Sequence, residues 1–135
     1  MRKDLASTKI ISWSDEGFSL DPYDVVFLPG GHEKGVVQVI NSPIVHKLLV
    51  DYFPKTRKPS RKSCAAICHG VMVLSESSLP GGKSVIHDAT TTALPGAMEQ
   101  GIFWGTRAFL GDYYKTYGSG SESVETSVSL VIISA

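Results

Sequence analysis

The residues best suited to covalent chemistry lie in the pentapeptide Ala66-Ile67-Cys68-His69-Gly70. A nucleophile with a small residue two positions before it and glycine two positions after it, between a strand and a helix, is the nucleophile-elbow pattern. Cys68 is the nucleophile in this pattern, and His69 could hold the thiol proton or orient the group that does. A buried structural cysteine is the alternative interpretation. The elbow favours a catalytic Cys68, whereas Cys64, inside the predicted strand, is assigned to the core.

A second candidate loop, Pro29-Gly30-Gly31-His32-Glu33, follows an earlier predicted strand. Because ligands of open α/β sheets bind at the carboxyl ends of the strands, this loop should lie on the same edge as Cys68. Gly30 and Gly31 leave backbone N–H groups free to bind an oxyanion. We assign Gly30, Gly31, His32 and Glu33 to an oxyanion and substrate-binding loop, with a plain turn as the alternative.

Asp88 ends a third predicted strand and is the candidate for an acid that orients a histidine, as in a nucleophile–histidine–acid relay. The structural alternative, an acid capping the threonine-rich turn that follows, explains the residue equally well. No pair of cysteines or histidines has the C-x2-C or H-E-x-x-H spacing of a zinc site. The sequence therefore predicts no metal.

The elements that must position these residues begin with a short apolar run at 24–28, which reads as a strand buried on both faces. A helix over 43–53 follows, with Asn41 or Ser42 as its cap and apolar residues at helical spacing. The next strand covers 63–68. Strand, helix and strand in this order predict a right-handed βαβ unit with parallel strands.

Further along, a third strand is predicted near 84–87, and a helix of roughly 20 residues starts after Pro95-Gly96 with Met98, Ile102 and Phe109 on its apolar face. The run 130–133 reads as a last strand. The alternating order of strands and helices favours a doubly wound α/β fold.

Composition sets wider bounds on the function. The chain has 135 residues, 42% of them hydrophobic, with 13 basic and 13 acidic side chains. This fits a single domain, 1–135, and argues against a protein built to bind nucleic acid or a membrane surface. No apolar run is long enough to span a bilayer, and two cysteines make no disulfide framework, so a cytoplasmic protein is expected.

Three segments together resemble the ThiJ/PfpI family of the class I glutamine amidotransferase-like superfamily: DVVFLPGGHE at 24–33, AAICHG at 65–70 and GKSVIHDATTT at 82–92. The resemblance covers about residues 20–128. It implies a flavodoxin-like three-layer sandwich with a mostly parallel sheet, often dimeric, with Cys68 as nucleophile. A small-molecule substrate and a homodimer are the partners it implies.

The position of His32 after the paired glycines resembles the heat-shock glyoxalase branch, whose members convert methylglyoxal to lactate without a cofactor. Other family members are described as deglycases, as amide or peptide hydrolases, or as isonitrile hydratases. Compared with the family, the chain is expected to be shortened at both ends. The opening unit that supplies the acidic partner in the family is expected to be absent before Asp24, and Glu16 or Glu33 would then replace that partner. In the glyoxalase-like relatives an acidic residue follows the third strand. The corresponding position in this chain is near Leu94-Pro95, where no acidic residue occurs. A non-catalytic stress or redox-responsive module, with an oxidisable Cys68, is therefore the other alternative.

Overall fold

The computed structural model describes residues 9–118 and 120–133, with side-chain burial described as far as residue 129. Two parallel strands, β1 (Val25–Leu28) and β2 (Ser63–Ala66), pair in a register that sets Val25 opposite Ser63 and Leu28 opposite Ala66. The strands predicted at 24–28 and 63–68 are confirmed. β2 ends two residues early because the chain turns at Ile67, where the elbow begins.

In the described residues, five helices accompany these strands: α1 (Val37–Ile40), α2 (Pro43–Tyr52), α3 (Gly70–Glu76), α4 (Gly96–Leu110) and α5 (Val124–Ile133). Short 3-10 turns cover Lys34–Val36 and Phe53–Thr56. Helices around a small parallel sheet make the described part of the chain an α/β arrangement. None of the described helices is long and apolar enough to cross a membrane.

The start of α2 follows the predicted capping. The Ser42 hydroxyl accepts a hydrogen bond from the Val45 backbone N–H at 3.3 Å, and proline occupies the first helical turn. Val45, Leu49 and Tyr52 are buried on the face directed at the core. The Tyr52 hydroxyl donates to the Ser63 carbonyl at 3.3 Å, which attaches the end of this helix to the start of β2.

The sheet buries only one of its faces. Val26 and Leu28 lie in the core, whereas Val25 and Phe27 are 62% and 59% exposed. The expectation of a strand buried on both faces is therefore wrong for β1 among the described residues. The core lies on the Val26 side and includes residues from α1, α2, α3 and α5: Ile40, Val45, Leu49, Tyr52, Met72, Val73, Leu74, Val124 and Val128.

The third strand predicted near 84–87 is also wrong, since the described sheet has two strands. Val85 and Ile86 are buried as an apolar run should be, but their backbone turns instead of extending. The Ser84 hydroxyl donates to the Leu74 carbonyl at 2.9 Å and accepts from the Ile86 N–H at 3.3 Å. Ser84 forms a single isolated antiparallel bridge with Ser78, and its side chain binds the backbone on either side instead of allowing a longer strand.

The last third of the chain is more helical than predicted. The helix expected after Pro95-Gly96 forms but ends at Leu110, because Gly111 takes a positive φ of 56°. Its buried residues are Glu99 and Phe103, whereas Met98 and Phe109 are exposed. The run 130–133 belongs to α5 and is not a strand. This helix starts where the Ser123 hydroxyl accepts from the Thr126 N–H at 3.1 Å.

Candidate functional site

Cys68 occupies the turn between β2 and α3, and its backbone carries the mark of an elbow. Its φ is 54°, the one positive φ of a non-glycine residue in the described chain. A residue held in this left-handed region costs about 1–3 kcal/mol and is found where the surrounding structure enforces it. The side chain is half-buried and the thiol is free. The predicted nucleophile therefore lies at the tip of a strained strand-to-helix turn.

Glycines allow the loop after β1 to pack directly against this turn. A Cβ atom on Gly30 would lie 2.5 Å from the Ile67 carbonyl oxygen and 2.6 Å from the Cys68 Cβ. A Cβ on Gly70 would collide with the Leu28 carbonyl oxygen. Only glycine permits these approaches. The Pro29-Gly30-Gly31 loop therefore lies next to the elbow, on the same edge of the sheet as predicted.

The imidazole of His69 is within hydrogen-bond distance of the thiol. Cys68 Sγ and His69 Nδ1 are 3.3 Å apart, and His69 is 2% exposed. Burial, and next the electrostatic effect of the neighbouring His32 side chain, lower the pKa of His69. A neutral imidazole is thereby favoured, and a neutral Nδ1 without a proton can accept the one that the thiol releases.

His32, on the glycine loop, packs its ring against His69. Its ring centroid is 4.9 Å from that of His69 in an edge-to-face arrangement and 4.8 Å from that of Tyr114. His32 Nδ1 is buried without a hydrogen-bond partner in the described part of the chain. Donor atoms of His32, Cys68 and His69 all lie within 4.8 Å of one another, so these three residues could hold a metal ion.

A buried ion pair adjoins the histidines and was not found from the sequence. Glu99 and Lys115 are each 3% exposed, with Nζ and Oε1 3.3 Å apart. The other carboxylate oxygen of Glu99 accepts from the Val124 N–H at 3.1 Å, at the start of α5. Glu99 raises and Lys115 lowers the pKa of His69. Glu99 lies four residues before Phe103, which places both on one face of the helix. This spacing was the sequence signal that could have indicated a buried Glu99.

Two predicted acids lie elsewhere. Glu33 is exposed at the start of the 3-10 turn after the loop. Asp88 pairs with Arg57 at 2.5 Å, both side chains being largely exposed. The hydrogen bond from Arg57 lowers the pKa of Asp88. The structure thus brings together Gly30, His32, Cys68 and His69, while the orienting role of Asp88 stays a prediction.

Cys68 opens on a cleft of about 370 Å³. Its lining is mostly small or apolar: Ala66, Ile67, Cys68, Val71, Thr92, Ala93 and Leu94. The segment in which the family comparison expected an acid therefore does border the nucleophile, with Leu94 in place of a carboxylate. A cavity of similar size, about 350 Å³, lies between residues 13–21 and α2 and contains no cysteine or histidine. The cleft at Cys68 is the candidate substrate site.

The second cysteine is chemically different. Burial raises the pKa of the Cys64 thiol to about 11, so that it is protonated near neutral pH. Cys64 lines a neighbouring cavity of about 280 Å³ together with Phe53, Ile86 and Ala89. Its assignment to the core rather than to the site agrees with this environment.

Comparisons with known proteins bear on the family. A family model described as ThiJ/PfpI family-like matches residues 1–126. An uncharacterised protein of Schizosaccharomyces pombe is 29% identical over 66 residues, a stretch that covers 48% of this chain and 25% of that protein. The matched stretch thus spans about a quarter of the relative's length. No solved structure matches the chain. The match over most of its length shows that the chain belongs to the ThiJ/PfpI-like family.

Proposed function

We propose that this ThiJ/PfpI-like chain is a cofactor-independent cysteine enzyme that acts on a small reactive carbonyl compound, with methylglyoxal as the substrate and lactate as the product. The observation that carries the proposal is the Cys68–His69 pair, with Sγ 3.3 Å from Nδ1 at a strained elbow. The flavodoxin-like sandwich of the family would place this elbow at the carboxyl edge of a parallel sheet, and β1 and β2 supply two such strands.

The chemistry follows from the positions of the groups. His69 Nδ1 takes the thiol proton, and Cys68 Sγ attacks the aldehyde carbon to give a hemithioacetal. His69 then moves a proton from that carbon to the neighbouring carbonyl carbon through an enediolate, which yields a lactoyl thioester. Water hydrolyses the thioester and restores the thiol, so that methylglyoxal and one water become lactate without a change in overall oxidation state.

The glycine loop supplies the stabilisation of charge in this scheme. Gly30 packs against Cys68 and His69 more closely than any side chain would allow. Backbone N–H groups of Gly30 and Gly31 are the proposed donors to the oxygen that becomes negative in the hemithioacetal and enediolate. His32, whose ring centroid lies 4.9 Å from that of His69, is the proposed contact for the second substrate oxygen.

Two serine variants test the proposal. Cys68→Ser should abolish lactate formation from methylglyoxal, whereas Cys64→Ser, which removes a protonated core thiol, should leave the rate close to that of the parent chain. Lactate is measured enzymatically after the chain has been treated with a chelator. Equal lactate formation by the Cys68→Ser variant and its parent would refute the proposal.

Acyl chemistry is the second candidate function. The close approach of the Gly30 backbone to Cys68 is also the arrangement that an oxyanion hole for amide, peptide or isonitrile substrates needs. A panel of such substrates, assayed beside methylglyoxal with the same two serine variants, separates the two reactions. If the chain acts on no substrate of the panel and peroxide oxidises Cys68 alone, the redox-responsive module is favoured instead.

A further inference from the structure

The site contains three side chains that could together bind a metal ion, and their spacing in the sequence does not reveal this. His32 comes from the loop after β1, and Cys68 and His69 come from the turn after β2. Their donor atoms lie within 4.8 Å of one another, and Cys68 Sγ and His69 Nδ1 are 3.3 Å apart. Motif spacing could not show this cluster, because the parallel pairing of two strands brings the ligands together.

The distances suit a tetrahedral ion. Zinc bonds of 2.0–2.3 Å to nitrogen and sulfur require donors about 3.3–3.8 Å apart. Cys68 and His69 already meet that requirement, and His32 would have to approach by about 1 Å. His32 is half-buried, and the buried Nδ1 of its ring has no hydrogen bond to lose within the described residues.

The donor types favour a transition-metal ion such as zinc or copper. One thiolate and two imidazoles are ligands that Zn²⁺ prefers, whereas Mg²⁺ and Ca²⁺ prefer oxygen. Three protein ligands leave the fourth tetrahedral position for a water molecule, as in zinc sites that stay open on one side. Of the three proposed ligands, Cys68 also lines the cleft of about 370 Å³.

We propose that His32, Cys68 and His69 form a Zn²⁺ site. On binding, the Cys68 thiol releases its proton to solvent as the Sγ–Zn bond forms, and no electron is transferred. Because the same sulfur is the nucleophile of the proposed enzyme, zinc occupancy would inhibit the reaction reversibly. That consequence rests on the proposed function, whereas zinc binding does not.

Titration of the chelator-treated chain with Zn²⁺ by calorimetry tests the site. One ion per chain is expected, and His32→Gln, Cys68→Ser and His69→Gln should each weaken binding by about tenfold or more. His87→Gln and Cys64→Ser are the matched controls, since these side chains lie outside the cluster, and they should bind as the parent does. Substitution with Co²⁺ should give a thiolate charge-transfer band that disappears in the Cys68→Ser variant.

A protection experiment uses the unsubstituted cluster and so does not depend on the folding of the three ligand variants. In the Cys64→Ser chain, Zn²⁺ should slow the alkylation of Cys68 by iodoacetamide, and removal of zinc should restore the rate. Absence of binding, or binding that His32→Gln leaves unchanged, would overturn the zinc site. Lactate formation by the metal-free chain is scored separately, so a site without activity and an activity without a site are distinguished.

Discussion

Replacement of Gly30 by alanine is the sharpest test of the packing that holds the elbow. The new Cβ would lie 2.5 Å from the Ile67 carbonyl oxygen, 2.6 Å from the Cys68 Cβ and 2.7 Å from the His69 nitrogen. Two of these three atoms belong to the backbone, so relief requires the loop after β1 to separate from the turn after β2. Overpacking of this kind costs about 1–3 kcal/mol.

The same displacement should disturb the chemistry of the site. Because Cys68 holds a φ of 54° only under the constraint of its surroundings, movement of the turn changes the separation of 3.3 Å between Sγ and Nδ1. Misplacement of reacting groups by about 1 Å can cost about 100-fold in rate. We expect Gly30→Ala to lose stability and most of the lactate-forming activity together.

Gly31→Ala is the matched control. A Cβ on Gly31 meets no atom within 4 Å, so this variant should stay within about 0.5 kcal/mol of the parent. Urea unfolding gives the free energy of unfolding of both variants, and the alkylation rate of Cys68 reports the geometry of the turn. If Gly30→Ala unfolds at the same urea concentration as Gly31→Ala and its Cys68 reacts at the same rate, the inferred packing of the elbow is incorrect.

Three further predictions concern the buried groups around the site. With a pKa of about 11, Cys64 in the Cys68→Ser chain should be alkylated slowly at pH 8, where about one thiol in a thousand is ionised, and about tenfold faster for each pH unit above that, as followed by mass spectrometry. The pKa of folded His69 lies below the 6.5 of the unfolded chain, so the unfolded state binds the proton more readily below pH 6.5. The free energy of unfolding should therefore fall as the pH decreases from 6.5 toward the folded pKa, and less steeply in His69→Gln; equal slopes would contradict this. Glu99→Gln leaves Lys115 charged and buried and should cost about 3–5 kcal/mol in urea unfolding, part of which Lys115→Met in the same chain should restore.

The residues of the elbow were predictable because local rules govern them. A short run of small and apolar residues, followed by Cys68 and a glycine, determines a strand, a sharp turn and a helix. The close approach of Gly30 was expected from the parallel order of the strands. These features depend on short stretches of chain and on one well-established connection rule.

The errors arose where local hydrogen bonds and helical spacing, rather than apolar composition, decide the structure. The apolar run at Val85-Ile86 is buried as predicted, but the Ser84 hydroxyl binds the local backbone and no strand forms. Residues 130–133 look like a strand by composition, yet they continue a helix that starts at Val124. The four-residue spacing of the buried Val124 and Val128 was the helical signal that the β-branched run obscured.

The polar part of the site was the least predictable. Glu99 and Lys115 are 16 positions apart, and no sequence pattern pairs them. Only the packing of α4 against α5 buries them beside His69. The grouping of His32 with Cys68 and His69 was hidden for a similar reason, because His32 and Cys68 meet through the pairing of two strands. Spacing rules detect ligands on one element and not those joined by tertiary structure.

The most direct test of the account is the rate of lactate formation by a metal-free His69→Gln chain, compared with the Cys64→Ser chain under the same conditions. If His69 Nδ1 accepts the thiol proton and moves the substrate proton, its loss should lower kcat by about 100-fold or more while Cys64→Ser keeps the parental rate. A His69→Gln chain that forms lactate as fast as the Cys64→Ser chain would contradict the central claim.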